Sequence, residues 1–148
     1  AALVVARPQV QFHPLPRARW RDFEKLFGPR GACAGCWCMF WRLRRKEWTA
    51  NQGSGNERAM RRIVERGGEP GILAYADGQP AGWCAIAPRA DYPVLANSRI
   101  LKPVDEKPVW AVTCFFVAKA FRGRGLTVKL LEAAVEFAAR RGARLIEG

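Results

Sequence analysis

The chain has 148 residues, which suits one domain that buries roughly 68–70% of its unfolded surface. Hydrophobic residues make up 49% and charged residues 26%, a composition that excludes a disordered or low-complexity protein. The formal net charge of +12 favours anionic partners such as nucleic acid, an anionic membrane surface or a polyphosphate. No stretch is long enough to span a bilayer, so we expect no membrane partner. Five cysteines, an odd number, argue against a secreted disulfide framework and favour the cytoplasm.

The first half of the chain predicts one strand followed by two helices. QVQFHPL (9–15) alternates apolar and polar residues, as a short strand does. RARWRDFEKLFG (17–28) spaces its aromatic and leucine residues at helical intervals and ends at a Gly-Pro pair. GNERAMRRIVERGG (55–68) carries one apolar face and ends in two glycines, which predicts the second helix.

The second half predicts a hairpin, a loop and a further strand. In GILAYADGQPAGWCAIAP (71–88), two apolar runs flank an Asp-Gly pair, the strongest short signal for a hairpin. Residues 89–107 contain several strand breakers and indicate a loop with one helical turn. PVWAVTCFFVA (108–118) is apolar on both faces, which predicts a central strand.

A helix and a last strand complete the pattern. The helix begins at Leu126 and ends at basic residues before Gly142. ARLIEG (143–148) begins another strand. The order of elements predicts an α/β (α+β) fold with a mixed sheet flanked by helices. The residues expected on the buried face of the helix are Leu126, Leu130, Leu131, Ala134, Phe137 and Ala138.

The turn between the central strand and this helix is the strongest candidate for a site. A strand that enters a helix through a glycine turn leaves backbone N–H groups unpaired, and the helix dipole adds partial positive charge. Such a turn suits phosphate, with Gly123 and Gly125 permitting close approach and with Arg122 and Arg124 adding charge. The glycine spacings of the dinucleotide fingerprint and the P-loop are not met. On spacing alone, an ordinary turn with solvated arginines explains these residues equally well.

CFFVAKAFRGRGLTVKLLEAAVEFAARRG (114–142) resembles the acetyl-CoA-binding core of the GCN5-related N-acetyltransferases (GNAT). That family carries a loop of the form [RQ]-x-x-G-x-[GA] between its fourth strand and third helix. Arg122 and Gly125 match this loop, whereas Thr127 stands where Gly or Ala is usual. The resemblance spans most of the chain in the order of elements, but in motif only about residues 110–147.

The resemblance implies that a deprotonated primary amine attacks the thioester of acetyl-CoA directly, without a covalent acyl-enzyme or a metal. The acceptor would be a small-molecule or peptide amine, nucleic acid is not favoured, and a homodimer is left open. Loop N–H groups would hold the diphosphate, and the preceding strand would bind the pantetheine arm. The implied cofactor-binding residues are Phe115, Phe116, Val117, Arg122, Gly123, Arg124, Gly125, Leu126 and Thr127.

The resemblance also implies a single acetyl-CoA-binding domain over residues 1–148. The family's common thiolate donor is a tyrosine on the helix after the fifth strand, and Gly148 falls inside that strand. The domain is therefore expected to be C-terminally incomplete, without its last helix and strands.

Two other functions stay open. One is a basic nucleic-acid-binding module that uses the same loop for backbone phosphates, and the other is a domain that binds CoA without catalysis. WRLRRKEW (41–48) is basic with interleaved tryptophans, but no nucleic-acid motif accompanies it, which favours a solvated helix face. No catalytic residue is assigned, because the spacing favours none of the candidate bases. These are His13, Glu47, Asp91, Tyr92, Asp105 and Glu106.

A cysteine cluster lies in GACAGCWCMFW (31–41). The spacing of Cys33, Cys36 and Cys38 suggests zinc or redox chemistry, but a structural zinc site commonly needs a second pair. We interpret these thiols as small buried hydrophobes. In the resembled family this segment borders the acceptor site, so Trp37 and its neighbours are expected to line an aromatic acceptor pocket.

Overall fold

The computed structural model describes residues 1–4 and 9–148 and contains one five-stranded sheet in the order β1-β2-β3-β4-β5. Neighbouring strands are antiparallel except β4 and β5, which are parallel. This mixed sheet confirms the predicted fold class. The strands are β1 (Val10–Pro14), β2 (Gly71–Ala76), β3 (Gln79–Pro88), β4 (Trp110–Val117) and β5 (Ile146–Glu147).

Five α-helices flank the sheet in the described part of the chain, and none of them is long and apolar enough to cross a membrane. The second helix lies in the basic stretch, where Arg45, Lys46 and Glu47 are exposed and Trp48 packs partly against the core. The helices are α1 (Trp20–Phe27), α2 (Arg45–Ala50), α3 (Ser54–Glu65), α4 (Pro93–Ala96) and α5 (Leu126–Arg140).

The predicted hairpin joins β2 to β3 through a two-residue turn. Asp77 and Gly78 have φ angles of 49° and 77°. Two successive positive φ angles are typical of a type I′ turn, whose twist matches that of the strands it connects. The local sequence therefore determines the turn, as expected.

Apolar side chains cover both faces of the sheet. On one face, α1, α3 and residues 28–43 surround Trp83, which is fully buried with the Phe23 ring centroid 4.9 Å away. On the other face, α5 packs through Leu130 and Ala134, both fully buried. Two layers of helix thus enclose the sheet, and the end of β4 meets the beginning of α5 at one edge of this sandwich.

Two details of the core differ from the predictions. Leu131 is 42% exposed, because the buried stripe of α5 follows the neighbouring residue Leu130 and only one row of side chains reaches the sheet. The predicted central strand β4 does lie between β3 and β5, but β5 pairs with it only at Trp110 and Ala111. The rest of β4 is covered on one edge alone, which matters for the site.

Candidate functional site

A groove of about 370 Å³ lies between the end of β4 and the beginning of α5, and we call it the β4–α5 groove. Eight of the nine residues predicted from the sequence line it, and Phe121 joins them. Arg124 is the exception: it is exposed and lies over the Phe121 ring, 6.0 Å from its centroid. The lining residues are Phe115, Phe116, Val117, Phe121, Arg122, Gly123, Gly125, Leu126 and Thr127.

The two glycines of the turn adopt the conformation that glycine alone takes without strain. Gly123 and Gly125 have φ angles of 75° and 73°. A Cβ added to either would meet no protein atom within 4 Å, so both α-carbons face open space. A ligand in the groove can therefore approach the backbone more closely than any side chain would permit.

The first turn of α5 presents unpaired backbone donors to this space. No side chain caps the helix, whose N-cap residue is Gly125. The N–H groups from Gly123 to Val128 donate to no acceptor among the described residues. Together with the positive end of the helix dipole, these donors form a site suited to an anion.

Arg122 connects the two sides of the groove. Its Nε donates to the carbonyl oxygen of Val117 at 2.8 Å, so the side chain folds back onto the end of β4. This bond orients the guanidinium, and its terminal nitrogen atoms have no hydrogen-bond partner among the described residues, so they remain available as charged donors.

The outer edge of β4 is open beside the groove. Residues 112–117 have no strand partner on that edge among the described residues. Ala85 pairs with Cys114 and Ile86 with Val112, so Thr113 is an extra residue that forms a bulge. A bulge leaves backbone groups outside the ladder and redirects side chains, a feature often found next to active sites.

A second cavity of about 370 Å³ continues along this edge, and we call it the lateral cavity. Its walls include Trp41, Val112, Thr113 and the carboxylate of Glu147. Glu147 pairs with Arg89, whose side chain is 12% exposed and donates to the Glu147 Oε1 atom. The lining of the lateral cavity therefore combines one aromatic residue and one carboxylate with the cationic residues Arg89 and Lys102.

The candidate bases are scattered over the molecule. His13 lies on β1, at the opposite edge of the sheet from the groove. Glu47 is exposed on α2, and Asp91 lines a depression near the end of α5. None of these three residues lines the β4–α5 groove or the lateral cavity.

Tyr92 lies nearer to the bulge than the other candidates. The residue is 1% exposed, and its hydroxyl has no hydrogen-bond partner among the described residues, although the Thr113 hydroxyl and the Arg42 guanidinium are close. Burial raises the pKa of Tyr92 to about 12, so the phenol is neutral at pH 7 and unsuited to act as a base. Asp105 and Glu106 line only open depressions in the loop before β4.

The cysteine segment agrees with the sequence analysis in part. Cys38 is buried as expected, but Cys33 is exposed, because only part of the segment faces the core. Trp37 was expected to line an acceptor pocket, and the structure corrects this: the side chain is 5% exposed and stacks on Phe27, with ring centroids 5.7 Å apart. Its neighbour Trp41 reaches the lateral cavity instead.

Sequence reasoning missed the lateral cavity. Glu147 enters it because β5 runs parallel to β4 and pairs Glu147 with Ala111, a long-range relation that no local pattern reveals. The only available signal was the position of Glu147 at the end of a predicted strand. Within the described residues, no group of three or more His, Cys, Asp or Glu side chains could hold a metal ion.

Comparisons with known proteins agree with this geometry. A model of the acetyltransferase (GNAT) family matches residues 37–147 of the chain. No curated protein sequence matches significantly.

Solved structures share the fold at low sequence identity. Aminoglycoside N-acetyltransferase AAC(6')-Iy in complex with CoA is 19% identical, with a TM-score of 0.60 over 97% of this chain and 78% of that chain. The aminoglycoside 6'-N-acetyltransferase AAC(6')-IG of Acinetobacter haemolyticus is 18% identical, with a TM-score of 0.56 over 92% of this chain and 76% of that chain. A ribosomal-protein-alanine N-acetyltransferase of Brucella melitensis biovar Abortus 2308 is 13% identical, with a TM-score of 0.53 over 95% of this chain and 80% of that chain. Since the family model matches most of the chain, the protein belongs to the acetyltransferase (GNAT) family and is an acetyl-CoA-dependent N-acetyltransferase.

Proposed function

We propose that residues 1–148 act as one acetyl-CoA-binding domain and that acetyl-CoA occupies the β4–α5 groove. This proposal rests on the unpaired N–H groups at the start of α5. They face an open groove whose lining includes Gly123 and Gly125. These donors suit the diphosphate of the cofactor, and Arg122 adds a charged donor beside them. Leu126 and Thr127 complete the wall on the helix side.

The open edge of β4 would bind the pantetheine arm. An extended chain with amide groups can pair with a free strand edge, just as a peptide adds a strand to a sheet. Phe115, Phe116 and Val117 supply this edge and line the groove. The thioester would then lie toward the bulge at Thr113.

The bulge provides the chemistry that acetyl transfer requires. A backbone N–H group outside the ladder can donate to the thioester oxygen and stabilise the negative charge that develops there. The acceptor nitrogen attacks the carbonyl carbon to form a tetrahedral intermediate. When it collapses, the carbon–sulfur bond breaks, CoA leaves as the thiolate, and the proton that the nitrogen loses passes to solvent.

The acceptor amine would enter from the lateral cavity. The Glu147 carboxylate, which also pairs with Arg89, can accept a hydrogen bond from the amine, while Trp41 offers a face for a cation–π contact. The names of the structural neighbours include both small-molecule and peptide acceptors, aminoglycosides and a ribosomal-protein alanine. We propose an acceptor of one of these two kinds and place the enzyme in a reducing cytoplasm, where its five free thiols persist.

Two assays test this function. Acetyl-CoA and CoA should raise the melting temperature by mass action, whereas a short DNA duplex at the same concentration should not. Release of free CoA thiol in the presence of a panel of amines, measured with a chromogenic disulfide after the reaction is quenched and the protein removed, should exceed release without amine. Stabilisation by duplex alone would instead indicate a nucleic-acid-binding module, and stabilisation by CoA without amine-dependent thiol release would indicate a non-catalytic CoA-binding domain.

A further inference from the structure

Two thiols from distant parts of the chain meet next to the bulge of β4. Cys114 directly follows the bulged residue Thr113, and Cys38 lies in residues 28–43. Both side chains pack in the apolar cluster on the α1 face of the sheet. Trp83, which donates to Cys38, and Ala85, which pairs with Cys114, pack in this same cluster two residues apart on β3, so the two thiols are neighbours.

The surrounding structure holds Cys38 in place. The Trp83 Nε1 atom donates to the Cys38 Sγ atom at 3.4 Å, within the buried core. Trp37 and Cys38 have φ angles of 48° and 62°, a left-handed conformation that residues other than glycine rarely adopt. Backbone in this conformation persists only where neighbouring contacts determine it, and here it directs the thiol toward β4.

The two thiols are chemically unequal. Interaction with the Cys38 thiol lowers the pKa of the Cys114 thiol, whereas interaction with Cys114, followed by burial, raises the pKa of Cys38. Cys114 is half-buried and precedes Phe115, which lines the β4–α5 groove and is 38% exposed. Because Cys114 is half-buried and Cys38 is buried, a small reagent encounters first the thiol that ionises more readily, and nucleophilic attack on a disulfide requires the thiolate.

We propose that Cys38 and Cys114 form a redox-active pair that low-molecular-weight disulfides, such as glutathione disulfide, convert to an intramolecular disulfide. The Cys114 thiolate attacks one sulfur of the reagent, whose S–S bond breaks and releases one thiol after protonation. The Cys38 thiol then loses its proton and attacks the Cys114 sulfur, which releases the second thiol. Two protein thiols and one small disulfide thus give one protein disulfide and two small thiols, and excess thiol reverses the reaction.

This disulfide would couple redox state to the site, a consequence that rests on the proposed function. A disulfide brings two sulfur atoms to about 2.05 Å, closer than two unbonded thiols can lie. Formation of this disulfide pulls Cys114 toward residues 28–43. The adjacent bulge at Thr113 is displaced with it, away from the position that the thioester would contact. We expect the oxidised protein to bind acetyl-CoA at least about threefold more weakly than the reduced protein.

Peptide mapping of the wild-type protein tests the pair without a functional assay. The reduced protein is incubated with glutathione disulfide, alkylated under denaturing conditions and digested without reductant. We expect a linked peptide that joins Cys38 to Cys114, with Cys33 and Cys36 alkylated. The link should persist in Cys36→Ser and disappear in Cys114→Ser. A link within the Cys33–Cys38 stretch, or Cys114 recovered alkylated or only as a glutathione adduct, would overturn the proposal.

A second measurement separates this inference from the proposed function. The rise in melting temperature with acetyl-CoA is compared for the reduced protein and for the mapped, oxidised protein. If the reduced protein does not respond to acetyl-CoA, the proposed function fails while the peptide map still decides the disulfide. If both forms bind acetyl-CoA equally well, the coupling between redox state and site is wrong.

Discussion

Replacing Gly125 with alanine tests whether the β4–α5 groove binds the diphosphate of acetyl-CoA. The φ angle is 73° and an added Cβ would meet no protein atom within 4 Å, so the methyl group would project into the space assigned to the ligand. A hydrogen bond to a charged oxygen contributes about 1.5–3 kcal/mol. Loss of one such bond corresponds to a Kd for acetyl-CoA at least about tenfold higher, since about 1.4 kcal/mol is a factor of ten.

Gly142 provides a matched control at the other end of α5. Its φ angle is 89° and an added Cβ would also meet nothing within 4 Å, so Gly142→Ala introduces similar backbone strain away from the groove. Each variant should lose about 1–2 kcal/mol of unfolding free energy, the usual cost of a left-handed residue other than glycine. Urea unfolding measures this loss, and calorimetric titration measures the Kd for acetyl-CoA.

The comparison of the two variants decides the interpretation. We expect equal loss of stability but a raised Kd only in Gly125→Ala. An unchanged Kd in Gly125→Ala, or the same rise in Gly142→Ala, would refute the assignment of the diphosphate to the start of α5.

Three further predictions concern the groove, the core and the only histidine. Arg122→Gln should raise the Kd for acetyl-CoA about 10–100-fold by titration calorimetry, whereas Arg124→Gln, outside the groove lining, should change it less than about threefold. Gly82→Ala should lower the unfolding free energy in urea by about 1–3 kcal/mol, because its Cβ would lie 2.9 Å from a leucine methyl carbon of α5. Burial, and then the charge of Arg19, lower the pKa of His13 below 6.5, so the unfolded state binds more protons in that range. The free energy of unfolding should therefore fall as pH drops from about 6.5 through the folded pKa of His13. His13→Gln should remove this part of the pH dependence. A pKa above 6.5 in an NMR titration of the single histidine would contradict the prediction.

The sequence predicted best those elements whose signals are local. The hairpin turn at Asp77 and Gly78 and the glycine that ends α5 depend on backbone preferences within a few residues, and the structure contains both. The groove was predictable for the same reason, because a strand, a glycine turn and a helix are consecutive in the chain. Eight of the nine predicted residues line one groove, since they all belong to this single junction.

The segment 28–43 was not predictable, because its conformation depends on distant contacts. Asn56 is fully buried, and its Nδ2 atom donates to the carbonyl oxygen of Gly35 at 3.0 Å. A Cβ on Gly35 would lie 2.2 Å from the backbone nitrogen of Gly53, so the two chain segments are in direct contact. No periodicity encodes such contacts, and the exposure of one cysteine and the burial of Trp37 both follow from them.

The site depends on how closely α5 lies against the sheet. Gly82 of β3 pairs in register with Val117, the last residue of β4, and its α-carbon faces the leucines of the first turns of α5. Directly after β4, the Ala118 N–H group donates to the Ala81 carbonyl oxygen of β3 at 2.9 Å, which fixes the direction in which the chain leaves the strand. Gly82 therefore contacts both the end of β4 and the start of α5, and its lack of a side chain lets the two lie close together. Because the two walls of the groove are attached to the same point of the core, the unpaired N–H groups are held in place before any ligand binds, which reduces the ordering that binding requires.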